Sequence, residues 1–492
     1  MRRRLSLMAF HKFGAGCAAN RHHHFPLYND CHLTMVRTSA LISASPTAGD
    51  RPLELGYHRE RSMKLPFQTT VALLSLAAWP AAAQPSPPAP NAPTVLETLG
   101  AMHQTGSTAD WPEVPQTGQK ADQVKQNLSK IKLPPGFHIS LYALVPDARH
   151  IAVGPQGVAT FVGTRKSKIW VVTDRSRGGA GDEVKEFAPT LPKKIPNGAC
   201  FSKDGFLYTI EQNRVLEYPA AEFFYESPDV VAGVVVAEGE LIPKTEESYN
   251  HTARPCRVGP DNKLYIQLGQ PYNVPAKEKL DMYRKLGIGG IIRMDRDGKN
   301  REVYAVGLRN PVGMDFHPKD KSLWTNDNQV DGMGDDQPPG EMNRIANAGQ
   351  DFGFPWYGGG KTRTNEYKAD TPPANVVFPE VGQAAHAADL GLVFYTGSMF
   401  PKKYQGAIFS TQHGSWNRTV PVGARVMVTY LKDDGHVAGK SEPFAEGGTT
   451  TAITWVVRSM WRNCTMVRLS SPTISSARSI ASGTTASDTR VG

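Results

Sequence analysis

Short runs of apolar residues recur along the middle of the chain, and a polar turn precedes each of them. In one copy the turn Gly259-Pro260-Asp261-Asn262 leads into Leu264-Tyr265-Ile266. Four further copies, the last of them looser, run through residues 153–162, 202–209, 317–325 and 400–410. Turns of glycine, proline and aspartate between β-branched and aromatic runs are typical of β-hairpins. The pattern therefore predicts a series of hairpins.

The hairpins begin roughly 50 to 60 residues apart, which is within reach of propeller repeats once loops are inserted. A hairpin of this kind cannot bury an apolar face by itself, so successive units have to stack. Radial stacking leaves only short, protected sheet edges. The predicted fold class is therefore all-β, a β-propeller over residues 132–448 with its functional site in the central channel.

The composition changes abruptly after this region. Residues 449–492 are rich in Ser, Thr and Arg and show neither the strand alternation nor the turns of the earlier repeats. Tryptophan and methionine each have a single codon, so the DNA sequence that encodes Trp455, Met460 and Trp461 is known. If the other residues use GC-rich codons, translation in a shifted reading frame can give a further repeat with an Asp-Gly turn. We therefore predict a six-bladed propeller whose last blade was lost to a frameshift between about Gly448 and Ile453.

The N-terminal region predicts export to the periplasm. Residues 63–83 combine a basic start, an apolar run and three alanines before Gln84, which is the layout of a secretory signal peptide. Because a signal peptide begins a chain, residues 1–62 are predicted to be a non-native upstream extension. Residues 84–131 form a proline-rich linker and lead-in, and no longer apolar stretch could span a membrane.

The formal net charge of +9 would by itself favour a nucleic-acid or anionic-membrane partner. However, residues 1–62 carry +5 and residues 449–492 carry +4 of that charge, so the remainder is neutral and no nucleic-acid partner is predicted. Two of the five cysteines lie outside those ends, Cys200 and Cys256, at matching positions of adjacent repeats. In an oxidising compartment they either pair or remain two separate buried thiols.

One histidine stands at a position where it could act as a base. His251 lies on a polar turn that leads into the hairpin of residues 256–268, which places it at the mouth of a sheet. The pKa of an unperturbed histidine is close to neutral, so the ring can take a proton from a substrate hydroxyl. A hydrogen-bonded turn histidine is the alternative interpretation.

Three further polar clusters fall between the predicted strands. Arg309 offers a planar fork for a carboxylate or an oxyanion, although an ion pair between blades is also common. Residues 325–343 concentrate oxygen-bearing side chains on a Gly-rich loop, which suits calcium but also describes a solvated turn. Near the last hairpin Trp416 can stack and Arg418 can pair with an anion. Together these clusters imply an anionic cofactor with a metal.

These motifs resemble the soluble quinoprotein glucose and sorbosone dehydrogenases, which use pyrroloquinoline quinone (PQQ) on a six-bladed propeller, and in particular the L-sorbosone dehydrogenase type. The resemblance covers about residues 132–448. It rests on N-H-T-A-R-P-C-R-V-G-P-D at 250–261, G-L-R-N-P-V-G at 307–313, the loop at 326–345, G-F-P-W at 353–356, F-Y-T-G at 394–397 and H-G-S-W-N-R at 413–418.

The resemblance implies a role for each motif. His251 would be the base, and Arg309 would act with it at the reactive carbonyl. The implied cofactor contacts are Arg309, Asn310, Asn328, His413, Trp416 and Arg418. The implied calcium ligands are Asp327, Asn328, Asp335 and Asp336.

The implied reaction is the PQQ-dependent oxidation of an aldose or a sugar aldehyde, such as L-sorbosone, to the acid or lactone. Electrons would pass to a periplasmic acceptor. Two other classes stay open. A calcium-dependent lactonase can use a six-bladed propeller, but it would not need Arg309 and Arg418 to face an anionic cofactor. A non-catalytic binding propeller would show an apolar patch on one face and a channel without a cluster of functional side chains.

Overall fold

The computed structural model of the chain describes residues 111–174, 176, 179–432, 438–447 and, for the backbone alone, 465–470. The predicted upstream extension, the signal peptide and most of the C-terminal tail lie outside these residues. Strands dominate the described part of the chain, where the longest helix has ten residues. This confirms the all-β class.

The strands follow one another as successive antiparallel sheets. The first strand is β1 (His138–Leu144). The first sheet contains β2 (Ala148–Val153), β3 (Ala159–Thr164), β4 (Ile169–Thr173) and β5 (Glu183–Phe187). The second contains β6 (Gly198–Phe201), β7 (Leu207–Ile210), β8 (Val215–Tyr218) and β9 (Gly233–Val236). The third contains β10 (Cys256–Val258), β11 (Leu264–Leu268), β12 (Gly290–Met294) and β13 (Glu302–Val306).

The fourth sheet carries an insertion. Its first three strands are β14 (Asn310–Phe316), β15 (Leu323–Asn328) and β16 (Gly340–Ile345). The insertion holds β17 (Gln350–Asp351), which joins the third sheet parallel to β13, and the hairpin of β18 (Tyr357–Gly359) and β19 (Thr362–Arg363). The fourth sheet is completed by β20 (Val381–Gln383).

The fifth sheet contains β21 (Asp389–Phe394), β22 (Ile408–Gln412), β23 (Arg425–Leu431) and β24 (Ala438–Glu446). The last described strand, β25 (Thr465–Ser470), pairs antiparallel with β1. The described helices are α1 (Gln119–Leu128), α2 (Ala221–Phe224) and α3 (Leu280–Leu286), with 3-10 turns at Lys244–Glu246, Lys277–Lys279 and Lys402–Tyr404. None of these helices is long and apolar enough to cross a membrane. Helix α1 lies in the stretch that composition alone treats as linker and lead-in.

The sheets are arranged as the blades of a propeller. The first strands of successive sheets pack side by side, β2 on β6, β6 on β10, β10 on β14 and β14 on β21. Apolar clusters fill the spaces between consecutive sheets, as Phe161 and Leu216 do between the first two, and Trp324 and Phe394 between the last two. The hairpins predicted from the sequence are the connections between the first and second strand of each blade.

The number of blades differs from the prediction, and the state of the two cysteines is resolved. The described residues form five blades rather than six: four of them have four strands, and the third has five because β17 joins it. The two-stranded sheets of β1 with β25 and of β18 with β19 stand in addition to them. The proposed frameshift falls largely outside the described residues, although the tail does contribute the strand β25. The two cysteines are paired: a disulfide joins Cys200 on β6 to Cys256 on β10, with 5.7 Å between their Cα atoms.

Candidate active site

Two adjoining cavities open where the first strands of the blades meet. The large cavity has a volume of about 620 Å³ and is lined mainly by the first strands β2, β10, β14 and β21 and by the loop before β10. The small cavity has a volume of about 310 Å³ and is lined mainly by the ends of β14 and β15 and by the loop after β22. His251 and Asn310 line both cavities and therefore mark their boundary.

The imidazole of His251 is held in one tautomer. Its backbone has a φ of 51°, a left-handed conformation that is uncommon for a residue with a side chain. Its Nδ1 lies 2.6 Å from the carbonyl oxygen of Gln270. Because a carbonyl oxygen only accepts, Nδ1 carries the hydrogen and Nε2 is left as an acceptor.

The environment of His251 keeps the ring neutral. Burial, assisted by the positive charge of Arg309, lowers the pKa of His251 to about 3. The ring is thus unprotonated throughout the physiological pH range. His251 is therefore a hydrogen-bonded turn residue, which was the alternative interpretation of the sequence. Its Nε2 is also unprotonated, as a general base requires.

A glycine lets His251 and Asn310 approach each other. A Cβ atom at Gly269 would lie 2.6 Å from the Oδ1 of Asn310 and 2.9 Å from the Cβ of His251. Any larger residue at this position would therefore displace one of the two. The Oδ1 of Asn310 is buried and accepts no hydrogen bond from the described residues. It is therefore an acceptor whose hydrogen-bonding capacity is left for a ligand.

The register of the β14–β15 hairpin brings two separate sequence motifs together. Asn310 lies opposite Asn328, and Pro311 lies opposite Asp327. The carboxylate of Asp327 accepts hydrogen bonds from the backbone N–H of Arg309 at 3.0 Å and from that of Asn310 at 2.7 Å. The Nε2 of Gln329 donates a third at 2.8 Å. Asp327 therefore holds the start of β14 in place.

The guanidinium of Arg309 is almost fully engaged by the protein. Its Nε and Nη2 donate to the backbone and side-chain oxygens of Asn273 at 2.9 and 2.7 Å. Its Nη2 also pairs with Asp331 at 2.8 Å, and its Nη1 donates to the carbonyl of Asn328 at 3.1 Å. These contacts use four of its five N–H groups. Arg309 is thus a buried clamp at the edge of the small cavity, and the open fork expected from its sequence context is not what the structure shows.

Three buried carboxylates lie at or near the small cavity, and we call Asp327, Glu341 and Asp389 the acidic cluster. Asp327 and Glu341 are neighbours across β15 and β16. Burial raises the pKa of Asp327 to about 6 and that of Asp389 to about 7. Burial and the charge of Asp327 raise the pKa of Glu341 to about 8.

Each member of the acidic cluster has protein donors. Glu341 accepts from the backbone N–H of Gly360 at 2.7 Å and from the Nδ2 of Asn343 at 2.9 Å. Asp389, which lines the small cavity, accepts from the Nε2 of Gln412 at 2.9 Å. Their carboxylates serve mainly to hold strands and loops together.

The predicted metal ligands are not brought together. Asp327 is buried behind the hairpin, whereas Asp335 and Asp336 lie in a surface turn. There Asp336 pairs with Arg418 at 2.9 Å although its side chain is 89% exposed, and Asp335 accepts the backbone N–H of Thr419 at 2.9 Å. Among the described residues, no group of three or more His, Cys, Asp or Glu side chains is arranged to hold a metal ion. A ligand set made of those four residues is therefore not formed.

The loop after β22 contributes one wall of the small cavity. Asn328, His413 and Trp416 line that cavity, and the indole of Trp416 is 74% exposed. Arg418 lines neither cavity, because its guanidinium is directed to Asp336 and to the carbonyl of Asp335. Arg418 thus braces the loop from outside the two cavities.

Several residues that line the site were not singled out by sequence reasoning. The Oε1 of Gln329 and the Oδ1 of Asn417 are buried, line the small cavity and have no hydrogen-bond partner among the described residues. Three arginines, Arg149, Arg165 and Arg257, line the large cavity, and we call them the basic wall. Arg149 and Arg257 lie on first strands, and Arg165 directly follows β3, so the one available signal was their position beside predicted hairpins.

Comparison with known proteins agrees with this layout. Residues 239–415 match the family model described as Glucose / Sorbosone dehydrogenase. A protein of unassigned function from Borreliella burgdorferi is 36% identical over 210 residues, which cover 42% of this chain and 53% of that protein. The chain thus spans about half the length of that relative.

A solved structure with a TM-score above 0.5 shares the fold. The calcium structure of a Trichoderma reesei enzyme of the carbohydrate-active family AA12 aligns with a TM-score of 0.54 and 19% identity, and the match covers 68% of this chain and 90% of that one. The holo form of the pyranose dehydrogenase PQQ domain from Coprinopsis cinerea aligns with a TM-score of 0.49 and 16% identity, over 70% of this chain and 86% of that one. The resemblance inferred from the motifs is confirmed by this match: the segment 239–415, which contains His251 and Arg309, matches the model of the glucose/sorbosone dehydrogenase family.

Proposed function

We propose that this protein is a PQQ-dependent dehydrogenase that oxidises an aldose or a sugar aldehyde, such as L-sorbosone, to the acid or lactone. One observation carries the proposal. His251 is held neutral with Nε2 as an acceptor, at the boundary of two cavities, and it packs against the same glycine as the unpartnered Oδ1 of Asn310. A base beside an unused polar acceptor, in a propeller channel, is suited to taking a proton from a bound hydroxyl.

The small cavity fits the proposed cofactor. Its lining offers a partly exposed indole for stacking, Trp416, and buried polar atoms without partners on Asn310 and Asn417. Arg149 also lines this cavity and offers positive charge to an anionic cofactor. We propose that PQQ lies here, held by Asn310, Asn328, His413 and Trp416.

The same cavity offers oxygen donors for calcium, although not those expected from the sequence. The Oε1 of Gln329 and the Oδ1 of Asn310 are unpartnered amide oxygens, and the carboxylate of Asp331 lies on the same lining. Calcium binds carbonyl and carboxylate oxygens of this kind. We propose these three residues, rather than Asp335 and Asp336, as the metal-holding group.

The residues of the chain divide the work. When bound, the quinone supplies a hydride acceptor and calcium supplies a Lewis acid. His251 takes the hydroxyl proton on Nε2, and the carbonyl of Gln270 fixes the ring so that this nitrogen is the acceptor. Asp327 holds Asn310 at the boundary through its backbone N–H. Arg309 closes the edge of the cavity and keeps the loop of Asp331 in position.

We propose a periplasmic location, as the residues 63–83 predict. The disulfide between Cys200 and Cys256 supports it, because such bonds persist in oxidising compartments. A periplasmic electron acceptor would then receive the electrons.

We also propose that the functional ring has six blades. The support is that the described blades number five and that β1 pairs only with the short strand β25. A version with the shifted reading frame restored after about Gly448 should give more soluble protein and tighter PQQ binding than the chain as written. Equal yield and equal binding from the two versions would contradict both the sixth blade and the frameshift.

Spectroscopic titration tests the proposed activity. The chain, expressed from Met63, is titrated with PQQ in the presence of calcium, and an aldose or a sugar aldehyde is then added. We expect the absorption spectrum of PQQ to shift on binding and to change to that of the reduced form on addition of sugar. The His251→Gln variant is the matched control, because it should bind PQQ without reducing it.

Two outcomes would overturn the proposal. Absence of PQQ binding, with hydrolysis of a sugar lactone in the presence of calcium, would identify a lactonase instead. Absence of binding and of both reactions would favour a non-catalytic propeller.

A further inference from the structure

The lining of the large cavity is strongly one-sided in charge. The basic wall contributes three guanidinium groups, and the imidazoles of His150 and His251 also line the cavity but are uncharged. Among the described residues that line this cavity there is no Asp and no Glu. The channel therefore presents positive charge that its own lining does not neutralise.

The protein engages the basic wall only in part. Among the described residues, no hydrogen bond or ion pair holds the guanidinium of Arg165, whose backbone N–H alone is bound, by Asp147 at 2.8 Å. Arg257 uses its Nε, which donates to the carbonyl of Met314 at 3.0 Å and lies 3.5 Å from Asp315. Arg149 lies 3.9 Å from Asp147. Most of the N–H groups of Arg165 and Arg257 are therefore available to a ligand.

Within the basic wall, Arg257 lies on the substrate side of His251, whereas Arg149 and Arg165 line both cavities. Arg257 lines only the large cavity, whereas Asn328, Gln329 and Trp416 line only the small cavity. If the cofactor occupies the small cavity, the substrate has to reach His251 from the large one. The charge of Arg257 is then presented to the substrate rather than to the cofactor.

The neighbouring histidines are consistent with an uncompensated positive potential. Burial and the charge of Arg257 lower the pKa of His150 to about 3. Burial and the charge of Arg309 do the same to His251. An anion bound beside Arg257 would raise the pKa of both rings, which gives a readout that is independent of turnover.

We propose that the basic wall binds a carboxylate carried by the substrate, so that the preferred sugar is a sugar acid of the uronate class. This inference rests on the proposed function and specifies its substrate. The hemiacetal carbon of the sugar loses a hydride and its hydroxyl loses a proton to His251, which leaves a lactone; the two electrons pass to the bound quinone. Arg257 and Arg165 hold the carboxylate at the other end of the sugar by charge-assisted hydrogen bonds.

Calorimetric titration of the cofactor-free chain tests the binding step by itself. The probes are glucuronate and glucose, which differ by one carboxylate. We expect glucuronate to bind at least about tenfold more tightly than glucose, which corresponds to one charge-assisted hydrogen bond, and its affinity to fall as salt is added. The chemical shifts of the His150 ring should also change when glucuronate binds.

Single substitutions then locate the site. Arg257→Gln and Arg165→Gln should each reduce the preference for glucuronate over glucose by about tenfold. Arg257→Lys, which keeps the charge but not the fork, should retain part of it. Lys166→Gln removes one charge next to Arg165 but outside the cavity, and it should leave the preference unchanged. In the PQQ-loaded enzyme the ratio of kcat/KM for glucuronate to that for glucose should follow the same order.

The outcomes separate this inference from the proposed function. Equal affinity for the two sugars, or an unchanged preference in both glutamine variants, would overturn it whether or not the protein is a dehydrogenase. Weakened PQQ binding with unchanged sugar preference would also overturn it, because the arginines would then serve the cofactor. Selective glucuronate binding without any PQQ reduction would support the carboxylate site and reject the proposed reaction.

Discussion

The two charged regions of the channel differ in how the protein uses them. The three carboxylates of the acidic cluster accept hydrogen bonds from backbone amides and neutral side chains, and each has at least one such partner. The guanidinium groups of Arg165 and Arg257 in the basic wall are largely unengaged. Because the acidic cluster is buried, its carboxylates need hydrogen-bond donors from the protein itself. The basic wall is partly solvated, so water can hydrogen-bond to its guanidinium groups until a ligand binds. The acidic cluster thus serves as a frame, and the basic wall as a recognition surface.

The sequence suggested the opposite assignment. An Asp-rich loop looked like the ligand-holding region, and the three arginines passed unnoticed because they are scattered over more than 100 residues.

Removal of calcium should have the largest effect. A strong chelator should abolish PQQ-dependent oxidation, and addition of calcium with PQQ should restore it, because amide and carboxylate oxygens beside the acidic cluster would hold the metal. The rate of dye-linked oxidation is the measurement, and a chelator already saturated with calcium is the control. Full activity after prolonged treatment with the chelator would mean that this side of the channel holds no required metal.

Substitution of His251 tests the boundary between the two regions. His251→Gln and His251→Ala should lower kcat by about 100-fold or more, the usual scale for loss of a general base, while PQQ affinity stays close to that of the parent. Steady-state kinetics and PQQ titration check the two parts. His138→Gln, at an exposed histidine on β1, is the control. Retained turnover in both His251 variants would assign the base to another group.

Substitution within the acidic cluster should destabilise the fold. Asp327→Asn replaces a carboxylate that accepts three hydrogen bonds, and one amide oxygen cannot accept them all. We expect the free energy of unfolding to fall by about 2 to 3 kcal/mol, as measured by urea denaturation. The control is Asp336→Asn in the exposed ion pair with Arg418, where the loss should stay below about 1 kcal/mol. Equal losses of stability in the Asp327 and Asp336 variants would show that the acidic cluster does not stabilise the fold more than an exposed ion pair does.

The acidic cluster should also make stability depend on pH. Burial raises the pKa of Asp389 from 3.8 to about 7 and that of Glu341 from 4.5 to about 8. Between the unfolded and folded values the native state binds more protons, so the free energy of unfolding should decrease as the pH rises from about 4 to 8. Calorimetric or urea unfolding at several pH values, without calcium, measures the slope.

The variant Asp389→Asn removes one of these groups and should flatten the slope, while Asp336→Asn should leave it unchanged. We expect Asp389 to account for up to about 3 kcal/mol over this range. The decrease should be complete above the folded pKa values, where both states are ionised. Stability that increases over the same range would show that these carboxylates are ionised in the native protein.

The candidate site was predictable from the sequence where motifs are contiguous. His251, Arg309 and Asn310 were all found, because each lies in a short polar segment between clear strand patterns. The hydrogen bonds of Arg309 could not be predicted, because its partners Asn273 and Asp331 come from other loops. The separate settings of Asp327, which binds backbone N–H groups, and of Asp335 and Asp336, which lie in a surface turn, were not predictable for the same reason: composition cannot distinguish an aspartate that holds a backbone from one that faces a cavity.

The sequence by itself determined the all-β class and the five hairpins, since turn residues and alternating apolar runs act over a few neighbours along the chain. It left the pairing of Cys200 with Cys256 open, and only the packing of β6 beside β10 decided it. The tertiary structure likewise decided which charges are satisfied. The register of β14 on β15 places Asp327 behind Asn310, and the meeting of the first strands assembles the basic wall. Hydrogen-bond satisfaction and burial depend on distant segments converging in space, and a local pattern carries no record of that convergence.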